Sequence, residues 1–445
     1  MRKIVVLICL LPALLQAQGG DLDSRFHTLD EIYAQLDLWQ TEYPQYIALD
    51  TIGYSNNSQI PIIAGKISDF PGVKEDEPRV LLIGQHHAEE ILGVEIVLSV
   101  MRDLLENAAH SQQFRAYIQN AELWFIPTMN PEGLNVVMSG QDVTFRKNLT
   151  DNNGNGVFDF EPGIGNDIDG VDFNRNYDFC WIHGDSLYQG DYDYYRGPDA
   201  FSDSETRAVA RLALEQRFLY SFAYHSARSG TPEIIYYPWD FEDTGKRPPD
   251  FDVIRDLARD VAGQIVRQDG VNTYRTFAGT SRKGNAHNWF YSKANSMQLL
   301  IEVGTNNLQP DSTVIEQVIE RNKEGVYYLF DRTIGYFEDQ HLLTGHIIDS
   351  ETGEPIDAQV AITSKHAPYL ERRSSEPETG RYWRSLLPGT YTVKVCRLGY
   401  DPVIRTVTVG ADKTVEDFAL EPRPRFEVGW HTTDLHTADS LECDI

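Results

Sequence analysis

Cysteine is scarce in this 445-residue chain, and its four cysteines are far apart, at Cys9, Cys180, Cys396 and Cys443. Disulfide-stapled small domains and cysteine-ligated zinc sites need more cysteines at closer spacing. The sequence therefore argues against both classes. It leaves open a single disulfide bridge in an oxidising compartment, or thiols without a role.

Positive charge is also in short supply. The chain has 39 Lys and Arg residues against 67 Asp and Glu residues, which gives a formal net charge of -28 at pH 7. Nucleic acids and anionic lipids attract basic surfaces, so we predict neither as a partner. The overall composition, 41% hydrophobic and 24% charged, is that of a globular protein.

Long hydrophobic runs are missing as well. The apolar run at residues 4–15 follows Arg2 and Lys3 and precedes the small residue Ala17. A membrane-spanning helix needs about 20 apolar residues, so this run is too short for an anchor. The pattern predicts a cleaved signal peptide over residues 1–17 and a secreted or periplasmic protein without stable membrane insertion. An uncleaved anchor is the alternative.

The rest of the chain divides into two textures. Up to about residue 337, apolar strands alternate with amphipathic helices. This pattern predicts a large α/β domain over residues 23–337, with a mixed, mostly parallel central sheet flanked by helices. After about residue 340 the segments are short, β-rich and separated by turn signals. They predict a small all-β antiparallel sandwich over residues 342–421, followed by a polar tail at 422–445.

Three of the predicted strands end in residues suited to metal chemistry. The strand at 80–83 leads into a segment with His87 and Glu90, the strand at 220–224 into His225, and the strand at 297–303 places Glu302 near its end. Sites in open α/β sheets assemble at the carboxyl ends of strands. A catalytic zinc needs three protein ligands, an open coordination position and a base. Two His and one Glu can supply the ligands, and a second Glu can be the base. Each signal alone is weak, because a single His-x-x-Glu pair is usually structural.

Further motifs in order along the chain make the pattern specific. They are Gly84-Gln85-His86-His87-Ala88-Glu89-Glu90, Pro127-Thr128-Met129-Asn130-Pro131-Glu132-Gly133, Phe145-Arg146-Lys147-Asn148, Gly170-Val171-Asp172-Phe173-Asn174-Arg175-Asn176-Tyr177, Phe222-Ala223-Tyr224-His225-Ser226, Asn288-Trp289 and Leu300-Ile301-Glu302-Val303-Gly304. With them, residues 29–337 resemble the zinc metallocarboxypeptidases, the family of carboxypeptidases A and B and of carboxypeptidases D, E, M and N. The resemblance implies hydrolysis of the C-terminal peptide bond of peptides or proteins.

The resemblance also implies a role for each matching residue. His87, Glu90 and His225 correspond to the zinc ligands; His86 is a competing first ligand, but only His87 has the two-residue spacing to Glu90. Glu302 corresponds to the general base that activates the attacking water.

Three further residues correspond to groups that hold the substrate. Arg146 would face the developing oxyanion. Asn174 and Arg175 would bind the terminal carboxylate, for which a planar guanidinium is well suited.

Departures from the family pattern are informative. Thr280 stands where the family usually has a Tyr that clamps the substrate, so either Tyr274 or another ring replaces it, or the clamp is missing. Glu89 stands where the pancreatic enzymes have an Arg, which removes one distal cationic contact. No activation segment separates the signal from the catalytic domain, so we expect secretion in an active form.

The residue at the base of the specificity pocket corresponds to His287, and Arg282 and Lys283 precede it in the same segment. Protonatable and cationic groups there would favour a substrate with an acidic last residue. If instead His287 is a neutral wall and the two basic residues face solvent, a polar or aromatic last residue is preferred. The sequence leaves both alternatives open.

Residues 343–420 resemble the transthyretin-like domain that follows the catalytic domain in the carboxypeptidase D and E branch. The likeness rests on the segments at 345–349 and 388–395 and on Gly399-Tyr400. No cluster of catalytic groups occurs there, so a packing or folding role is favoured.

An insertion raises a second metal hypothesis. Asp151, Asn153, Asn155 and Asp159 occupy positions 1, 3, 5 and 9 of a calcium-type loop with Gly156 at position 6. The usual Glu at position 12 is absent. An ordinary turn rich in Gly and Asn is the alternative, so calcium is an open hypothesis beside zinc.

Two rival functions remain. One is a related zinc hydrolase acting on cell-wall peptides or on γ-linked acidic residues. The other is a non-catalytic binding protein on the same fold, which the intact set of motif residues disfavours. The sequence gives no indication of the oligomeric state.

Overall fold

The computed structural model describes residues 22–159, 161–165, 168–181, 192–228, 232–241, 246–280, 283–307 and 311–423. The predicted signal peptide, Arg282 and most of the C-terminal tail lie outside these ranges. In the part of the chain that is described, no helix is both long enough and apolar enough to cross a bilayer.

The first helix shows how local sequence fixes an element. Helix α1 (Leu29–Glu42) begins at Thr28, whose side chain accepts the N–H of Glu31 while the Glu31 carboxylate accepts the N–H of Thr28. This capping box satisfies backbone donors that the helix itself leaves unpaired. The apolar side chains at helical spacing are buried, and the helix ends before Pro44.

An eight-stranded mixed sheet forms the centre of the large domain, in the order β1-β2-β4-β3-β5-β8-β6-β7. Four neighbouring pairs are parallel and three, β1 with β2, β2 with β4 and β6 with β8, are antiparallel. The strands are β1 (Ile47–Tyr54), β2 (Pro61–Ile67), β3 (Arg79–Ile83), β4 (Glu122–Ile126), β5 (Tyr220–His225), β6 (Ile234–Tyr237), β7 (Arg275–Ala278) and β8 (Met297–Glu302).

Helices cover both faces of this sheet. Successive residues of β3 alternate between two hydrophobic clusters, Val80 and Leu82 in one and Leu81 and Ile83 in the other, because successive strand side chains point to opposite faces. The remaining helices are α2 (Leu92–Asn107), α3 (Gln112–Asn120), α4 (Pro131–Met138), α5 (Ser204–Gln216), α6 (Phe251–Gln264), α7 (Ala286–Ser292) and α8 (Ser312–Ile334), with a 3-10 turn at Phe173–Arg175.

The C-terminal part is all β. Strands β10, β12 and β13 form one sheet, and β9, with β11, β14 and β15 beside it, forms the second. Their inner faces share a separate hydrophobic cluster. The strands are β9 (Leu342–Asp349), β10 (Gln359–Ile362), β11 (Arg381–Ser385), β12 (Gly389–Cys396), β13 (Val403–Val409), β14 (Lys413–Val415) and β15 (Phe418–Leu420).

The predicted fold class, a mixed α/β sheet followed by a small β-sandwich, is confirmed. One detail differs from expectation, and one of the two alternatives for the cysteines is decided. The sandwich is not wholly antiparallel, because β14 and β15 both pair with β9 in parallel. In addition, Cys396 takes part in a disulfide bond, so the cysteines are not all thiols without a role.

Candidate active site

The carboxyl edge of the central sheet brings the predicted chemical groups together. The segment after β3 carries His87 and Glu90, β5 ends at His225, and β8 ends at Glu302. Strands β5 and β8 are parallel neighbours, and His225 lies opposite Glu302 in their register. Residues as far apart in sequence as Glu90 and His225, which are 135 positions apart, therefore meet at one edge, as expected for strand ends in an open α/β sheet.

Two glycines fix the position of the segment between β3 and α2. A Cβ atom on Gly93 would lie 2.1 Å from the carbonyl oxygen of Gly84 and 2.4 Å from Cβ of Tyr224. Only a residue without a side chain permits this approach. The first turn of α2 is thus held directly against the ends of β3 and β5, and the segment with His87 and Glu90 is bent over the sheet edge.

Three ligand-type atoms converge at this edge. Nδ1 of His225 is 3.1 Å from Nδ1 of His87 and 2.8 Å from Oε2 of Glu90, and Nδ1 of His87 is 2.9 Å from Oε1 of Glu90. Atoms bound tetrahedrally to zinc at about 2.0–2.2 Å are roughly 3.3–3.6 Å apart, so small side-chain movements suffice to admit the ion. Burial lowers the pKa of His225 to about 4, which keeps its imidazole in the neutral form that binds metal. The donor set fits zinc.

His86 does not belong to this group of converging atoms. It is fully buried, and its ring stacks on that of His225 with 5.0 Å between the ring centroids. The spacing argument that favoured His87 over His86 as the first ligand agrees with this arrangement.

Asp172 is the residue that orders the site. One carboxylate oxygen lies 3.0 Å from Nε2 of His87, the other accepts Nε–H of Arg146 at 3.0 Å, and Oδ1 also accepts the backbone N–H of Asn174. A carboxylate on the far nitrogen of a ligand histidine fixes the ring and its tautomer. Asp172 therefore holds His87, a predicted zinc ligand, and Arg146, a predicted substrate-binding residue, together.

Arg146 is 7% exposed and points its guanidinium at the ligand cluster. Beyond Asp172, its Nη1 donates to Oε1 of Glu90 at 3.3 Å and its Nη2 lies 3.0 Å from Nε2 of His87. Several negative groups hold this cation in place, so its charge is fixed beside the metal position.

The two predicted carboxylate-binding residues have donors to spare. Nη1 of Arg175 donates to the carbonyl oxygen of Asn174, while Nε of Arg175 has no acceptor among the described residues. Oδ1 of Asn174 accepts the N–H of Ala286 at 2.9 Å, which leaves its amide NH2 as the free end. Both side chains line the cavity, with hydrogen-bond donors available for an anion.

Glu302 lines the same cavity, and its Oε2 has no hydrogen-bond partner within the described ranges. Burial and the nearby Glu90 carboxylate raise its pKa to about 8. A divalent cation held between His87, Glu90 and His225 would oppose that shift by favouring the carboxylate form.

The cavity has a volume of about 450 Å³, and it also receives Thr280 and His287. Burial, followed by the His225 and Arg175 charges, lowers the pKa of His287 to about 3, which favours the neutral-wall alternative.

Tyr274 does not replace the family's clamping Tyr. Its hydroxyl oxygen already accepts hydrogen bonds from the N–H of Gly304 and from the side-chain amide of Asn322. A larger cavity of about 540 Å³, between the two domains, contains none of the predicted catalytic groups.

Glu89 stands where a cationic residue was expected to be lost. In the structure it forms an ion pair with another cation, Arg228. Nε of Arg228 lies 2.7 and 2.9 Å from the two carboxylate oxygens of Glu89, and Nη1 of Arg228 binds Asp193. Arg228 lines the cavity. The sequence offered no signal for this arginine, because its partners are 35 and 139 positions away.

The Asp151 loop lies in the insertion that precedes Asp172. Asp151 accepts the N–H groups of Gly154 and Gly156 at 2.7 and 2.8 Å, and Oδ2 of Asp159 accepts the side-chain amides of Asn153 and Asn155. These bonds close the loop on itself, which both a turn and a calcium loop would do. The calcium hypothesis stays a prediction.

Comparison with known proteins gives the family. A family model described as zinc carboxypeptidase matches residues 32–325, and one described as a carboxypeptidase regulatory-like domain matches residues 343–421. The carboxypeptidase N catalytic chain of Rattus norvegicus is 26% identical over 427 residues, covering 89% of this chain and 86% of that protein. Carboxypeptidase D of Homo sapiens is 24% identical over 88% of this chain, which spans 26% of that longer protein.

Solved structures share the fold. Thrombin activatable fibrinolysis inhibitor has a TM-score of 0.58 at 18% identity, covering 70% of this chain and 75% of its own. Carboxypeptidase A from Helicoverpa armigera has a TM-score of 0.58 at 20% identity, covering 71% and 76%. The chain therefore belongs to the zinc carboxypeptidase family, and it is a zinc metallocarboxypeptidase with a carboxypeptidase regulatory-like domain.

Proposed function

We propose that this enzyme is exported and removes single residues from the free C-terminal end of peptides or proteins, with His87, Glu90 and His225 as the zinc ligands. The observation that carries the proposal is the convergence of these three buried side chains in a cavity that also contains Arg146, Arg175 and Glu302. The N-terminal pattern at residues 1–17 supports export.

Each group has a task that follows from its chemistry. Zinc, when bound, supplies a Lewis acid that polarises the scissile carbonyl and acidifies water. Glu302 takes the proton from the attacking water and passes it to the leaving amine. Arg146 stabilises the negative charge that develops on the carbonyl oxygen, and its fixed position avoids a reorganisation cost.

Arg175 and Asn174 make the reaction an exopeptidase one. The terminal carboxylate of the substrate would accept hydrogen bonds from the guanidinium of Arg175 and from the amide of Asn174, both of which line the cavity. A charge-assisted pair of this kind selects a chain end over an internal peptide bond. Asp172 acts indirectly, since it holds His87 and Arg146 at the correct angles.

Replacement of the base tests the proposal. Glu302→Gln keeps the size and leaves the ligands intact, so we expect peptide hydrolysis to fall at least about 10²-fold, as for loss of a general base. Zinc measured in the purified variant should stay near one ion per chain. The matched variant Glu90→Gln should lose zinc as well as activity. More than a few per cent of residual activity in Glu302→Gln would remove Glu302 from the mechanism.

A further inference from the structure

One aromatic side chain touches both arginines of the proposed substrate site. Tyr194 lies in the segment before α5 and lines the active-site cavity. The guanidinium carbon of Arg146 is 4.7 Å from the centroid of its ring, and that of Arg175 is 5.3 Å from the same centroid. These distances are within the range of cation–π attraction. Among the described Phe, Tyr and Trp rings, Tyr194 is the one that lies within this range of both guanidinium groups.

The segment that carries Tyr194 is fixed on both sides. Asp193 is paired with Arg228 and accepts the N–H of Gly165 at 3.1 Å. The carbonyl oxygen of Tyr195 accepts the N–H of Asp172 at 2.8 Å. The backbone next to Tyr194 is thus bonded to the backbone of Asp172, whose side chain holds His87 and Arg146, so the ring is not on a free loop.

The contact addresses a specific weakness of Arg175. This guanidinium has one hydrogen bond, to Asn174, and its Nε has no acceptor in the described part of the chain. A long side chain held by one bond samples several rotamers, and ordering it when substrate binds costs free energy. A ring on the flat face of a guanidinium restricts it while leaving the in-plane N–H groups directed at an anion.

We propose that Tyr194 is a positioning residue for substrate binding, whose ring preorganises Arg175 and Arg146 for the terminal carboxylate and the scissile carbonyl. The inference rests on the proposed function of these two arginines. The hydroxyl group is not needed for this role, because the face of the ring makes both contacts.

A double-mutant cycle tests the proposal with zinc-loaded, full-length enzyme and a peptide that has a free C-terminus. Tyr194→Ala should lower kcat/KM about tenfold, mostly through a higher KM, because both cation–π contacts are lost. Tyr194→Phe should stay within about threefold of the wild type. Tyr194→Leu keeps apolar bulk without a ring face and should behave like Tyr194→Ala.

The second half of the cycle separates positioning from folding. In an Arg175→Ala background, the effect of Tyr194→Ala should shrink to about threefold or less, because residues that act through each other are not additive. Inhibition by the free amino acid product should weaken in each variant whose kcat/KM falls. Asp199→Ala is the loop control: Asp199 is exposed in the same segment and does not line the cavity, so its substitution should change kcat/KM less than about twofold.

The outcomes are distinct. Unchanged kcat/KM in Tyr194→Ala, loss in Tyr194→Phe equal to that in Tyr194→Ala, or full additivity with Arg175→Ala would each overturn the positioning role. If Arg175→Ala itself keeps wild-type kcat/KM, the proposed carboxylate contact fails, and with it the basis of the inference. If kcat/KM falls strongly in Arg175→Ala but not in Tyr194→Ala, only the inference about Tyr194 fails.

Discussion

At the scale of single residues, His287, the predicted base of the specificity pocket, lines the active-site cavity. It is 5% exposed, both of its ring nitrogens lack partners among the described residues, and its pKa is lowered to about 3. A histidine of ordinary pKa, about 6.5, would change its charge between pH 5 and 8, whereas this one is neutral throughout that range. Of the two other predicted cationic residues, Arg282 lies outside the described residues, and Lys283 does not line the cavity.

This gives a prediction for specificity. Rates for peptides that end in Glu, Lys, Phe and Leu should keep the same ranking at pH 6 and pH 8, with ratios that change less than about twofold. The reason is that His287 stays deprotonated and the Glu side chain stays ionised at both pH values. A preference for Glu at pH 6 that fades at pH 8 and vanishes in His287→Ala would instead show a protonated His287.

The residues of the site divide by how local their signal is. His87 and Glu90 share one segment, so their spacing is readable, and the strand ends of the α/β pattern indicate His225 and Glu302. Asp172 and Tyr194 were not identified as site residues. Asp172 acts across 85 positions on His87, and the contacts of Tyr194 depend on the packing of a segment without periodicity.

At the scale of elements, the long periodic ones were predictable and the short ones were not. The buried strands β3, β5 and β8 follow the expected pattern within a few residues. Strands β6 and β7 have only four residues each, too few for a period to stand out, and neither was identified. Helix α2 begins only at Leu92, because Glu90 is turned into the site ahead of the helix.

The Asp151 loop offers a test at this scale. Calcium added to zinc-loaded protein should raise the melting temperature if the loop binds it, since a ligand that binds only the folded state stabilises that state. The same addition should have no effect on Asp151→Ala, and calcium chelation with zinc maintained should reverse the gain. If calcium does not change the melting temperature of the wild-type protein, the loop is an ordinary turn.

At the scale of the whole molecule, buried ion pairs join the sandwich to the catalytic domain. Nη1 of Arg79, at the start of β3, donates to Oε1 of Glu376 at 2.9 Å, and Nζ of Lys74 is 2.6 Å from Oε2. The side chains of Arg79 and Glu376 are 3% and 5% exposed. Such pairs depend on burial between the domains. The sequence favoured a packing or folding role for the sandwich, but it did not predict these particular contacts.

Removal of this charge should therefore destabilise the protein without affecting the site. Loss of one partner of a buried pair costs about 3–5 kcal/mol, and because Arg79 keeps Glu122 we expect Glu376→Gln to fall at the lower end. Glu378→Gln is the matched control, because Glu378 is 63% exposed and exposed pairs contribute about 0–1 kcal/mol. Denaturant unfolding of the two variants decides; equal stabilities would mean that the buried pairs do not hold the domains together.

The most direct test of the account compares one peptide with a free C-terminal carboxylate and the same peptide as its C-terminal amide. We predict that the zinc-loaded enzyme releases the last residue of the acid and leaves the amide intact, that chelation abolishes the reaction and that zinc restores it. Arg175→Ala should slow cleavage of the acid about 10²-fold, as expected for a lost charge-assisted contact. Equal cleavage of acid and amide would contradict the carboxypeptidase mechanism and point to an endopeptidase.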